Sequence, residues 1–149
     1  MNTEPKHFIT VVAPCYNEEA ILETNIATVI KYLGSIEDRY NWEILIVNDG
    51  SKDKTGIIAD ELERKYSNVR VCHHPVNFNL GIALQTGFRN AKGDIIVVID
   101  IDLSYAEDNI GKLADKLVET SADMVLASPY MKGGKVTAVP RFRRVMSKS

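Results

Sequence analysis

The sequence predicts an α/β fold, a mostly parallel sheet flanked by helices. Two features carry that expectation. Short apolar runs rich in β-branched residues alternate with longer amphipathic stretches. Three of the short runs are nearly unbroken, as in strands covered on both faces, and each ends in a polar loop.

The elements follow in order. "FITVVA" (8–13) reads as a strand. "EEAILETNIATVIKYL" (18–33) places Ile21, Leu22, Ile26, Val29, Ile30 and Leu33 on one helical face. Asn17 is the expected N-cap of that helix, and Glu18 and Glu19 suit the positive end of its dipole. "WEILIV" (42–47) is the second strand, and "KTGIIADELERKY" (54–66) the second helix, with Ser51 or Asp53 as its cap. "VRVCHH" is a third strand, and "GIALQTGFRNA" (81–91) a helix interrupted by Gly87. "DIIVVID" (94–100) is a strand, "EDNIGKLADKLVET" (107–120) a helix, and "DMVLAS" (123–128) a fifth strand.

Composition and charge narrow the function. With 149 residues, 45% hydrophobic and 26% charged, the chain is long enough for one domain with a sizeable core. The opening "MNTEPKH" is polar and unlike a secretory leader, and the apolar runs are far shorter than a membrane span. Cys15 and Cys72 lack metal-ligand spacing and read as reduced thiols, so a cytoplasmic protein is expected. The formal net charge of −2 hides an asymmetry. Six of the 18 basic side chains and none of the 20 acidic ones lie in 131–149, so the remainder carries −8. A basic end on an acidic body suits an anionic partner, such as phosphate groups or a lipid surface, or is simply a solvated tail. Nucleic acid is disfavoured as a partner, because the basic residues are confined to that end.

In open parallel sheets, ligands bind outside the carboxyl ends of the strands. The loops there are "PCYNEE", "NDGSKDKT" and "DIDLS". Asp100 and Asp102, at positions i and i+2 of a strand end, would share a side and can hold Mg²⁺ or Mn²⁺, hard cations that prefer oxygen ligands. Such a cation would bridge a departing diphosphate. The same two residues also suit an ordinary polar turn. Asp49 can accept from a base N–H or a ribose hydroxyl, or serve as a turn former. Tyr16 can stack on a nucleobase or pack on the sheet. Glu18 can accept from a ribose or favour the helix start. Neither G-x-x-x-x-G-K-[ST] nor G-x-G-x-x-G occurs, so the familiar nucleotide loops are absent. Ser51, Ser104 and Cys15 show no evident His–Asp partners for a hydrolase triad, and His73 and His74 read as structural.

"VVAPCYNEEAIL", "WEILIVNDGSKDKT", "NLGIALQTGFRNAKGDIIVVIDIDLSYAED" and "ASPYMKGGKVTAVPRFRRVMSK", in this order, resemble glycosyltransferase family 2. Within it they are similar to the polyprenyl-phosphate sugar transferases of the dolichyl-phosphate mannose synthase type, over residues 8–148. The resemblance implies a GT-A fold, a nucleotide-diphospho-sugar donor, Mg²⁺ or Mn²⁺, inversion at the anomeric carbon and a polyprenyl-phosphate acceptor at a membrane surface. Residue by residue, Pro14, Tyr16 and Glu18 match the first nucleotide-contacting segment, and Val47 and Asp49 the second. Asp100, Ile101 and Asp102 match the D-x-D motif, with Asp102 the principal metal ligand. Arg143 matches a phosphate-handling arginine, a role that suits a bidentate, permanently charged group.

There are departures from the family pattern. Ser104 stands where the synthases often carry a metal-supporting glutamine, and is expected to act as a shorter ligand, through water. Pro129 stands where an arginine is usual, so phosphate neutralisation is weaker or comes from elsewhere. Family members continue well past the length of this chain. The expected organisation is therefore a nucleotide-sugar-binding core over 1–130, then a basic segment over 131–149 that begins an acceptor-side region. Three readings stay open: a donor domain that transfers sugar to polyprenyl phosphate, a nucleotide-sugar-binding fragment without turnover, and a family-2 enzyme acting on a sugar hydroxyl. The expected location is cytoplasmic, peripheral at the cytoplasmic face of a membrane.

Overall fold

The computed structural model describes residues 5–128. Their order is strand β1 (Phe8–Cys15), helix α1 (Leu22–Gly34), β2 (Asn41–Asn48), α2 (Thr55–Lys65), β3 (Val69–His73), α3 (Leu80–Asn90), β4 (Ile95–Val98) and α4 (Asn109–Thr120). The described strands form one parallel sheet in the order β3-β2-β1-β4. Register places Ile9 opposite Trp42 on one side and Ile95 on the other. The α/β expectation holds. The basic segment 131–149, with Arg143, lies outside the described residues.

Alternation along the central strands divides the core in two. Ile9, Val11 and Ala13 of β1, with Ile44 and Ile46 of β2, face Leu22, Ile26, Val29 and Leu33 of α1, and Ile110 and Ala114 of α4 join the same cluster. Val12, Leu45 and Val47 face the other way and pack on Ala83 of α3. The α3 helix comes close because Gly87 has no side chain: a Cβ there would lie 2.4 Å from Val12 Cγ1. Read from sequence, Gly87 only weakens a helix; in the fold it sets how near that helix lies to the sheet. Among the described helices none is long and apolar enough to cross a membrane.

Three expectations fail for physical reasons. Helix α1 starts at Leu22 rather than at residue 18, because Asn17 takes φ 54° and bonds the neighbouring loop instead of capping. Strand β4 stops at Val98, so Asp100 and Asp102 sit in a turn closed by Leu103 N–H donating to the Asp100 carbonyl (3.0 Å), with Leu103 at φ 52°. Residues 123–128 form no strand. Met124 and Leu126 are 73% and 75% exposed, and strand structure needs a pairing partner that the described residues do not supply. For the same reason β4 alternates: Ile95 and Val97 are buried, Ile96 and Val98 exposed.

A polar cluster locks the opposite end of the sheet. Buried Glu43 accepts from Thr10 Oγ1 (2.8 Å), from Arg70 Nη1 (3.0 and 3.2 Å) and from the Lys92 N–H (3.0 Å). Burial alone would raise the Glu43 pKa, but Arg70, Thr10 and the Lys92 amide outweigh it and hold the pKa below 4.5. A depressed carboxylate stabilises the fold above its ordinary pKa and loses that contribution as pH falls through the folded value. Glu43→Gln is therefore expected to destabilise the domain by about 3 kcal/mol near neutral pH, the low end for a broken buried pair because Arg70 keeps partial access to water. The gap between wild type and variant should narrow below pH 4.5; urea titrations across pH measure both.

Candidate functional site

The loops after β1 and β2 are laced together by reciprocal hydrogen bonds. Asn17 N–H donates to Ser51 Oγ (3.0 Å), and Lys52 N–H donates to Asn17 Oδ1 (2.8 Å). Glu18 N–H donates to Thr55 Oγ1 (2.8 Å), and Lys54 N–H to Glu19 Oε2 (2.8 Å). The N-cap position of α2 falls to Lys54 with no side-chain cap bond, rather than to Ser51 or Asp53: Asp53, one residue earlier, accepts from the Thr55 N–H (2.9 Å), and Ser51 serves the neighbouring loop. The turn after β4 is fixed from α1, where Asn25 Nδ2 donates to the Ile101 carbonyl (2.8 Å).

These anchored loops enclose a cavity of about 320 Å³ at the carboxyl ends of β1, β2 and β4. Pro14, Tyr16, Glu18, Asp49, Asp100, Ile101 and Asp102 all line it, so most of the expected binding residues are brought together. Ile101 does so from a side chain only 4% exposed and packed in the core, which leaves little of it for a ligand. Val47 is not brought there: it is fully buried against α3. Ser104 does not line the cavity; its N–H and hydroxyl both donate to Asp102 Oδ1 (2.9 and 2.7 Å) and so fix one oxygen of that carboxylate.

Electrostatics give the cavity its character. Four carboxylates, Glu18, Asp49, Asp100 and Asp102, share it, and among the described residues no lysine or arginine lines it. Burial, then the charges of Asp102 and Asp53, raise the Glu18 pKa. Cys15, at the cavity floor, is pushed up to about 12 by burial and by Glu18, Asp53 and Asp49, which makes its thiol inert. A second cavity of about 670 Å³ runs beside β4, between α4 and residues 123–127. It is larger but mostly apolar, and the two meet at Asp100.

Could the acidic cavity hold a divalent cation? Among the described residues no group of three or more His, Cys, Asp or Glu side chains is gathered tightly enough to do so alone. Two exposed carboxylates, Asp100 and Asp102, on one turn fit the lighter requirement of Mg²⁺ or Mn²⁺, which take one or two carboxylates plus substrate phosphates and water.

Sequence reasoning missed the fourth wall. Asn77, Asn79, Leu80 and Ala83, from the loop after β3 and the first turn of α3, also line the cavity. Asn79 has φ 72° and ψ 164°, a region that normally admits only glycine and costs about 1–3 kcal/mol. The signal was available: β3 runs parallel to its neighbours, so its trailing loop "HPVNFN" belongs to the same rim.

A parallel α/β domain with an acidic cavity at the ends of its central strands has the architecture of a GT-A nucleotide-sugar-binding domain. The family model described as glycosyl transferase family 2 matches residues 10–148, and the chain belongs to that family. A dolichol-phosphate mannosyltransferase of Pyrococcus furiosus is 36% identical over 140 residues, covering 94% of this chain and 38% of the relative. A dolichyl-phosphate beta-glucosyltransferase of Trichomonas vaginalis is 32% identical over 117 residues, covering 76% of this chain and 36% of the relative. The chain thus spans well under half the length of these curated relatives. Among solved structures, a Pyrobaculum calidifontis mannosyltransferase in complex with GDP-Man and Mn²⁺ superposes with a TM-score of 0.66 at 22% identity, covering 85% of this chain and 37% of its own. Glucosyl-3-phosphoglycerate synthase from Mycobacterium tuberculosis in complex with UDP gives 0.56 at 30% identity, covering 75% and 40%.

The cavity wall depends on Gly50. It has φ 69°, and a Cβ there would lie 2.2 Å from the Val76 carbonyl carbon. Gly50→Ala is expected to push the 74–80 loop off β2, lowering stability by about 1–3 kcal/mol. The Phe78 amide, which donates to Asp49 Oδ1 (2.9 Å), should lose its protection in hydrogen exchange. Retained protection at Phe78 would show that the loop is held by other contacts.

Proposed function

We propose that the chain is the donor-binding part of a metal-dependent, inverting glycosyltransferase that moves a sugar from a nucleotide diphosphate to a polyprenyl phosphate. The observation that carries this reading is the single cavity shared by Glu18, Asp49, Asp100 and Asp102 at the strand ends. A cavity so acidic repels a free diphosphate and favours one that arrives with a cation. The names of the Pyrococcus and Trichomonas relatives support a dolichyl-phosphate acceptor, and the UDP complex of the 30% identical synthase supports a nucleotide donor.

In this reading, Asp49 accepts from the base or ribose and Tyr16 stacks on the base. Glu18 accepts from a ribose hydroxyl. Asp102 and Asp100 hold the cation, with Ser104 keeping Asp102 Oδ1 in place. When bound, Mg²⁺ or Mn²⁺ would neutralise the charge that develops on the departing diphosphate. An acceptor phosphate oxygen attacks the anomeric carbon, the bond to the diphosphate oxygen breaks, and the nucleoside diphosphate leaves with the electron pair. A phosphate acceptor is already ionised at pH 7, so the cavity carboxylates are not required to remove a proton. Arg143 is the family's match for a phosphate contact, and the polyprenyl tail places the reaction at a membrane surface.

Two carboxylates make a weak metal site alone, so metal and nucleotide should bind together. Calorimetry is expected to find little affinity for Mn²⁺ by itself, and at least about tenfold tighter binding of UDP or GDP with Mn²⁺ than with chelator. Asp102→Asn should abolish that enhancement yet leave binding of the bare nucleoside unchanged. Asp49→Ala should weaken nucleoside and diphosphate alike. Matching ligand profiles for the two variants would refute the division of labour. Transfer of radiolabelled sugar to a short polyprenyl phosphate separates turnover from binding alone.

A further inference from the structure

Asp49 sits on the cavity wall yet is only 4% exposed, and it does not stand alone. Its Oδ1 meets His74 Nδ1 (2.7 Å) and accepts from the Phe78 N–H (2.9 Å). On the far side of the imidazole, Nε2 meets Thr86 Oγ1 of α3 (2.9 Å). The His74 ring contacts the Phe78 ring edge-on, with centroids 5.3 Å apart. His74 is nearly as buried as Asp49, with side-chain exposures of 9% and 6%. One residue therefore ties together the end of β2, the 74–80 loop and α3.

The chemistry fixes the arrangement. An ionised carboxylate only accepts hydrogen bonds, so Nδ1 of His74 carries the proton shared with Asp49. With His74 neutral, Nε2 then accepts from the Thr86 hydroxyl. The order Thr–His–Asp resembles that of a nucleophilic triad, but Thr86 lines neither cavity described above, so it has no place at the candidate site. What the chain of contacts can do is orient. Both described bonds fall on Oδ1, which leaves Oδ2 as the oxygen available to a ligand.

We propose that His74 is the positioning residue of the nucleoside subsite: it clamps Asp49 by one oxygen, presents the other to the base or ribose, and holds the Asn77–Asn79 wall against it. This rests on the reading of the cavity as a nucleotide site. Asn77 Oδ1 accepts from the Asn79 N–H (2.9 Å), so the strained Asn79 backbone is braced within the same loop.

The test uses the difference between the two ring nitrogens. Asparagine places an amide N–H near the Nδ1 position, whereas glutamine places its amide near Nε2. Calorimetry with UDP and with GDP in Mn²⁺ first selects the nucleotide that wild type binds; His74→Ala, His74→Asn and His74→Gln are then titrated with it and with its bare nucleoside. His74→Ala should weaken both by about tenfold or more, the effect of losing a hydrogen bond to a charged group. His74→Asn should recover most of that loss and His74→Gln little of it, at matched melting temperatures. Equal behaviour of the Asn and Gln variants, or wild-type affinity in His74→Ala, overturns the positioning role while leaving the nucleotide site standing. Failure of wild type to bind either nucleotide overturns both.

Discussion

Four carboxylates converging on one cavity repel one another, and the molecule is organised around keeping them there. Hydrogen bonds, most of them from elements distant in sequence, hold the loops that carry them. The Glu18 backbone is pinned by Thr55, and Asp49 is gripped by His74 and Phe78. The D-x-D turn is tied down by Asn25, and Asp102 is fixed by Ser104. None of these bonds is exceptional alone, since a typical net contribution is about 1 kcal/mol. Together they hold the four carboxylates at one rim. Burial first, and then the charges of Asp102 and Asp53, raise the pKa of Glu18, and a cation brought in with a diphosphate would offset the charge contribution.

The parallel sheet makes the convergence possible. All described strands run in one direction, so every trailing loop meets the same rim. The polar anchor at the opposite end, Glu43 with Arg70, Thr10 and Lys92, ties β1, β2, β3 and the approach to β4 together without intruding on the site. Burial is uneven across the sheet. Strands β1 and β2 are covered on both faces, whereas β4 shows Ile96 and Val98 and borders an apolar cavity. The site therefore stands where the well-packed centre of the sheet gives way to its open edge.

Much of this was legible in the residues. Unbroken apolar runs marked β1 and β2 because both of their faces are buried. "PCYNEE", "NDGS" and "DID" marked the rim because each trails a strand of a parallel sheet, where ligands bind. What escaped was set by tertiary contacts. Asn17 reads as a helix cap from propensity, but two bonds to the facing loop draw it to positive φ and delay α1 to Leu22. "DMVLAS" has strand composition, yet composition cannot supply a neighbour to pair with. His74 reads as structural because its partners, Asp49 and Thr86, are 25 and 12 residues away and no local pattern announces them. Val47 carried a family expectation, but strand alternation turns it to the α3 face.

The central claim is that the acidic cavity is completed by a cation carried in with the donor. Crystals of this chain grown with Mn²⁺ and the nucleoside diphosphate it binds would test it through anomalous scattering at the manganese edge. The account predicts one strong peak beside Asp102, bridging to the diphosphate, with the base beside Asp49 and Tyr16. A bound nucleotide with no peak at Asp102, or with manganese away from the D-x-D turn, would contradict it.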